Sequence, residues 1–248
     1  MVDGRRRVPG YWHAQPTWRA VAVTVVALAF ASDAHAASAG ARPAVVSSMP
    51  VPVPVPVAVP ATATRFGSEA VSDDARDVAE WVSTAHDNHM LPFVVIDKVN
   101  AKVFAFDRTG ILRGTAPALL GAAHGDDSVP GIGQRKLATI TPAERTTPAG
   151  RFQASLGNDL EQDILWIDYD AALSMHRVIV GRRVDDRAGR LASVTPDDNR
   201  ISYGCVNVPP GFYDSVVKPL FTGTVGIVYI LPDTKPLRAV FPMPPAAR

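Results

Sequence analysis

The chain reads as a mainly β domain preceded by one amphipathic helix, and three observations lead there. Short apolar segments of strand length recur between Pro92 and Leu231, punctuated by glycine, proline and aspartate. Helical periodicity is confined to two stretches, one before this region and one near its end. From about Arg65 to Arg248 the chain has a length typical of one domain, enough to bury a sizeable core.

The N-terminal elements come first. Residues 1–36 read as a signal peptide: Arg5, Arg6 and Arg7 precede an apolar run from Ala20 to Ala31, and Ala34-His35-Ala36 is the small-x-small pattern at which such leaders are cleaved. The run is shorter than the roughly 20 residues of a spanning helix, so no stable membrane span is expected after cleavage. The expected location is the periplasm or cell envelope. Residues 37–64 read as a linker, because Ser47 to Pro60 alternates proline with valine and alanine and favours extended polyproline II. Residues 65–90 form a helical segment in which Val71, Ala75, Val78, Val82 and Ala85 share a face and Asp73, Asp74 and Asp77 lie early. His86 and His89, near its C-terminal end, are read as partners of the helix dipole and not as metal ligands.

Residues 91–248 form the expected catalytic domain. Phe93 to Asp97 and Lys102 to Phe106 read as strands joined by a Lys98–Ala101 turn, and a further strand starts after Thr109-Gly110. Gly121 to Ile140 reads as a mobile surface loop, with too few glycines and no strand-to-helix context for a phosphate cradle. Strands are expected at Arg151–Ser155, Leu165–Tyr169, Met175–Val180 and Val225–Leu231. Pro209 to Leu220 reads as a short helix, with Phe212, Val216, Val217 and Leu220 on one face. The segment from Arg182 to Arg200, rich in arginine and aspartate, reads either as a solvated charged loop or as a substrate-binding flap.

Charge excludes one class of partner. Lys+Arg number 25 against 24 Asp+Glu, so no basic field points to nucleic acid.

Cys205 is the single cysteine, so it has no disulfide partner within this chain. It stands in Ser202-Tyr203-Gly204-Cys205-Val206-Asn207, where glycine allows a sharp turn and close approach of a substrate backbone. The segment reads as a nucleophile loop, against the plainer alternative of a small buried thiol. A cysteine nucleophile needs a base, and histidine suits that role near neutral pH. His13 and His35 fall in the leader, His86 and His89 on the helix, and His124 in the loop. His176 lies in an alternating, strand-like stretch that would hold its ring rigidly, and it is the expected base.

Ser202-Tyr203-Gly204-Cys205-Val206-Asn207 resembles the Ser-His-Gly-Cys-x-Arg/Asn signature of the L,D-transpeptidase (YkuD-type) catalytic domain. Phe93 to Phe106 is similar to that family's opening strand pair, Thr147-Pro148-Ala149-Gly150 to its Thr-Pro-x-Gly segment, and Gly223-Thr224-Val225 to its closing strand. His176 falls where the family's upstream histidine stands. The resemblance spans about Leu91 to Pro232 and has two departures: Tyr203 replaces the histidine before Gly-Cys, and Arg177 replaces a small residue.

The resemblance implies a transpeptidase-like β-sandwich or barrel with a few short helices. It also implies acyl transfer on peptidoglycan stem peptides through a Cys205 thioester, with His176 as base and acid. The imidazole would be oriented by a backbone carbonyl beside it. Backbone N–H groups around Tyr203, Gly204 and Cys205 would hold the oxyanion, and Ser202, Asn207 and Arg177 join the expected substrate or oxyanion set. An amine acceptor gives a crosslink and water gives a carboxypeptidase; carbapenem-type compounds are the expected inhibitors. Two other readings stand beside this one: a catalytically inactive peptidoglycan-binding scaffold, and an unrelated cysteine peptidase whose histidine would be oriented by an acid or amide. No metal or organic cofactor is expected, since the histidines lack ligand spacing and the chemistry needs only a sulfur and an imidazole.

Overall fold

Strands β1 (Phe93–Asp97) and β2 (Lys102–Phe106) pair antiparallel around the expected turn. They open an eight-stranded sheet in a computed structural model that describes residues 66–159, 162–179 and 181–244. The leader and linker readings on residues 1–65 lie outside the described residues. The remaining elements are β3 (Leu112–Pro117), β4 (Leu120–Gly121), β5 (Gly150–Asp159), β6 (Gln162–Asp168), β7 (Leu173–Arg177), β8 (Arg200–Ser202), β9 (Val206–Val208) and β10 (Val225–Ile230). The large sheet runs β3-β2-β1-β10-β5-β6-β7-β9, and β4 pairs with β8 separately. Two residues past β3, Leu119 exchanges both backbone hydrogen bonds with Asn207 of β9, so the two ends of the row meet and the sheet closes on itself. The protein is mainly β, as expected.

Strand alternation sorts the apolar side chains into two clusters. Val94 and Ile96 of β1, Val228 and Ile230 of β10, Leu165 of β6, Met175 of β7 and Val206 and Val208 of β9 point into the enclosed core. Their neighbours Phe93, Val95, Phe104, Phe106 and Tyr229 point to the other face and form the second cluster. Burial on both faces is why β1 reads as an unbroken apolar run.

Helix α1 (Asp73–Ala85) lays Ala75, Val78, Ala79 and Val82 on that second cluster. Ser72 caps its N-terminus and His86, at φ 55°, ends it, so the helix is shorter than its sequence periodicity. The enclosed core is covered by α3 (Pro210–Phe212), which passes through a π-helical stretch (Tyr213–Val217) into α4 (Lys218–Phe221). Phe212, Tyr213, Val217 and Phe221 are its buried face, each worth about 1.5–3 kcal/mol of burial. Two short helices complete the fold, α2 (Arg187–Ala192) and α5 (Leu237–Val240). Among the described residues no helix is long and apolar enough to cross a membrane.

Several boundaries differ from expectation. β5 and β6 extend as a long hairpin, because polar Asn158, Asp159, Gln162 and Asp163 pair backbone to backbone with no need for buried side chains. β7 ends at Arg177, since Val178 turns away to pair with Val208 alone. The Cys205 loop is flanked by strands β8 and β9, too short to show a periodicity.

The segment Gly121–Ile140 is tied down. Asp126 is buried and accepts from Lys98 Nζ, Thr234 Oγ1 and the N–H groups of Asp233, Thr234 and Lys235. Lys98, a turn residue in the sequence, is fully buried and also donates to the carbonyls of Gly125 and Thr147.

Candidate active site

The site lies on the outer face of β6, β7 and β9, and strand geometry puts it there. On β7, Leu173 and Met175 point inward, so Ser174 and His176 point outward; on β9, Val206 and Val208 point inward and Asn207 outward. Parallel pairing of β7 with β9 sets His176 directly beside Asn207. Cys205 immediately precedes β9, which brings its sulfur over this face.

The turn that presents the sulfur requires a glycine. Gly204 has φ +136°, and a Cβ there would lie 2.8 Å from the Thr146 carbonyl oxygen. Ser202 Oγ clasps the turn by donating to the Cys205 carbonyl at 2.6 Å and accepting from the Gly204 N–H at 3.1 Å. From the neighbouring segment Thr147 Oγ1 donates to the Gly204 carbonyl at 2.7 Å and accepts from the Gly121 N–H.

Cys205 and His176 line the same cleft and shift one another's ionisation. The sulfur is half-buried and accepts from Ser174 Oγ at 3.4 Å. His176 Nδ1 is fixed 2.7 Å from the carbonyl of Arg177, which leaves Nε2 for the sulfur side. Among the described residues no acid orients the ring. Burial alone would raise the Cys205 thiol, but the bond and charge of His176 and the Ser174 hydroxyl hold it below its ordinary value. Burial likewise opposes the charged imidazole, and Cys205 and the Arg177 carbonyl outweigh it, so His176 sits above its ordinary value. The two shifts run toward one another and favour a thiolate–imidazolium pair.

Asn207 is buried and braces the pair. Its Nδ2 donates to the Cys205 carbonyl at 3.2 Å and lies 3.4 Å from His176 Nε2, while Oδ1 accepts from Arg187 Nη1 at 2.9 Å.

Two clefts meet at the sulfur, one of about 100 Å³ lined by Ile132, Ile140 and Pro148, the other of about 400 Å³ lined by Trp166, His176 and Arg187. Cys205, Tyr203, Leu137 and Ala172 border both. Tyr203 is 38% exposed, and its ring lies against the Arg145 guanidinium, 4.0 Å from carbon to centroid.

The structure thus gathers Cys205, His176, Ser202, Tyr203, Gly204 and Asn207. Arg177 does not join them: its guanidinium is held by Asp163 and Asp214 over the Tyr213 ring, and only its carbonyl serves the site. The Gly204 N–H, expected among the oxyanion donors, is already engaged by Ser202. His124 faces Asp197 and Asp233 instead of the sulfur. Among the described residues no cluster of histidine, cysteine and carboxylates could hold a metal. Sequence reasoning missed Ser174, and it named Thr147 only within the Thr-Pro-x-Gly segment and Arg187 only within the charged Arg182–Arg200 segment, with no site role for either. The alternation of β7 around His176 could have found the first, since Ser174 is two residues away on the same face.

No family model and no curated protein matches the chain. Among solved structures it is similar to one described as "Structure of LD transpeptidase LdtMt1 in complex with imipenem", at 15% identity and a TM-score of 0.33, over 56% of this chain and 58% of that one. The chain therefore covers less than two thirds of that neighbour. Likeness so partial bears on neither activity nor substrate.

Proposed function

We propose that the chain is an exported, cysteine-dependent L,D-transpeptidase of the cell envelope acting on peptidoglycan stem peptides. The observation that carries this reading is Cys205 at the junction of two clefts, with His176, set beside Asn207 by the β7–β9 pairing, lining the larger cleft with it. Acyl transfer by a cysteine needs a sulfur that is ionised or deprotonated by an adjacent base, a group that can give and retake one proton, and separate room for the acyl and leaving portions.

In the proposed reaction the Cys205 thiolate attacks the carbonyl carbon that joins the L-centre of a diamino acid to the terminal D-alanine. A carbon–sulfur bond forms, and the negative oxygen of the tetrahedral intermediate is held by the N–H groups of Tyr203 and Cys205. The carbon–nitrogen bond then breaks, its electron pair stays on nitrogen, and the His176 imidazolium supplies the proton with which D-alanine departs. An amine of a second stem peptide next gives its proton to neutral His176 and takes the acyl group, returning sulfur as thiolate. Water in place of the amine makes the protein a carboxypeptidase. His176 borders the larger cleft and not the smaller, so the leaving residue, and later the acceptor, belong in the larger one.

Incubation of purified protein with muropeptides tests the reading. Release of D-alanine with crosslinked product, both lost in Cys205→Ala, supports it; release that persists without Cys205 ends it. Exposure to a carbapenem such as imipenem should add the drug's mass to Cys205. Tyr203, in place of the histidine of the family signature, keeps the scaffold reading in play: that reading expects retention on peptidoglycan with no adduct.

A further inference from the structure

Arg187 lines the larger cleft from the charged Arg182–Arg200 segment and has no acid partner there, whereas Arg135, which lines the smaller cleft, is paired; Arg145, over the Tyr203 ring, also has a buried Nε without a partner but lines neither cleft. Arg177 is paired with Asp163 and Asp214, Arg200 with Asp233, and Arg135 with Glu144. Arg187 has no ion pair among the described residues; its Nη1 donates to Asn207, and its buried Nε finds no partner. A half-buried guanidinium with an unsatisfied nitrogen beside a cleft is costly unless something completes it. Neither Cys205 nor His176 completes it: the sulfur bonds to Ser174, the ring to the Arg177 carbonyl, and the guanidinium to Asn207.

We infer that Arg187 binds the terminal carboxylate of the residue that leaves, and so restricts the reaction to the C-terminal residue of the donor peptide. The inference rests on the transpeptidase reading above. The departing nitrogen must face His176 Nε2, and one Asn207 side-chain amide links that atom to Arg187: Nδ2 is 3.4 Å from Nε2, and Oδ1 is 2.9 Å from the guanidinium. In a terminal amino acid the carboxylate carbon lies only about 2.5 Å from that nitrogen, two backbone bonds away. With the nitrogen at His176, the carboxylate falls on the Arg187 side of the cleft, where it supplies the missing counter-charge to the guanidinium. An internal peptide bond offers no carboxylate at that position.

The test compares a donor tetrapeptide carrying a free C-terminal carboxylate with its C-terminal amide. D-alanine or D-alaninamide release is measured for wild type, Arg187→Gln and Arg187→Lys, and the affinity of both peptides is measured on the Cys205→Ala protein with and without Arg187→Gln. Wild type should prefer the acid by about 30-fold or more, the scale of one charge-assisted hydrogen-bonded pair. That ratio should fall toward one in Arg187→Gln and recover partly in Arg187→Lys. An equal loss on both peptides assigns Arg187 to bracing Asn207 alone and overturns the inference, as does an unchanged ratio. If wild type releases nothing, yet Cys205→Ala binds the acid selectively through Arg187, the carboxylate site stands and the turnover reading falls. If D-alanine is released with a ratio indifferent to Arg187, turnover stands and the carboxylate site falls. Absence of both release and selective binding overturns both.

Discussion

Cys205 and His176 shift one another's ionisation, and the pH response follows from that coupling. The imidazole, raised by the thiolate, contributes stability in full below its unfolded value near pH 6.5 and loses it as pH climbs through the folded value. The thiol, lowered by the imidazolium, contributes above its unfolded value near 8.5 and loses it as pH falls through the folded value. Activity should therefore be bell-shaped, the acid limb reporting protonation of sulfur and the alkaline limb loss of the proton owed to the leaving amine. His176→Gln should move the iodoacetamide-reactive ionisation of Cys205 upward and cut acylation by about 10²- to 10⁴-fold; an unmoved alkylation profile would show that the two groups are not coupled. Gly204→Ala tests the turn itself. Its left-handed backbone and the 2.8 Å approach to the Thr146 carbonyl make a cost of about 1–3 kcal/mol the expected result in urea denaturation, with slower alkylation of Cys205.

At the scale of elements, the hairpin turn between β1 and β2 steadies the Cys205 turn from a distance. Lys98 donates to the Thr147 carbonyl, and Thr147 Oγ1 donates to the Gly204 carbonyl, so the first strand pair and the cysteine turn share one hydrogen-bonded chain. Removing one member of a buried ion pair leaves the other uncompensated, and Lys98→Met should cost about 3–5 kcal/mol by denaturant melts while also slowing acylation. Burial alone would raise the Asp126 carboxyl, yet Thr234, Lys98 and three backbone N–H groups hold it far below the carboxylate range. Its contribution is thus complete above about pH 4 and drains only in strong acid. Little of this network is visible along the chain. β1, β2 and β10 were legible because their apolar runs are bounded by clear turns, and His176 because it interrupts an alternating strand. Lys98 looked like an exposed turn residue, since nothing in a single chain reveals a carboxylate 28 positions away. Arg187 was hidden likewise, its partner Asn207 standing 20 positions on.

Over the whole molecule, one closed sheet has an enclosed core and an outer face that is part hydrophobic platform, part cleft. Helix α1 covers the platform, shielding Phe93, Val95, Phe104, Phe106 and Tyr229. A chain beginning at Leu91 should therefore expose a contiguous aromatic surface, bind a hydrophobic dye and lose its cooperative thermal transition; a sharp, dye-free transition would show that the sheet stands without its helix. Closure has a further consequence. His176 and Asn207, two residues past Cys205, lie side by side on adjoining parallel strands, and Leu119 seals the opposite flank of β9, so ladder register and not the intervening tether sets the separation of His176 and Cys205. Within the tether, Val178 to Asn199, Arg187 is tied to the site through Asn207, so changes elsewhere along it leave the ladder register in place and make it a segment where new selectivity can be tried.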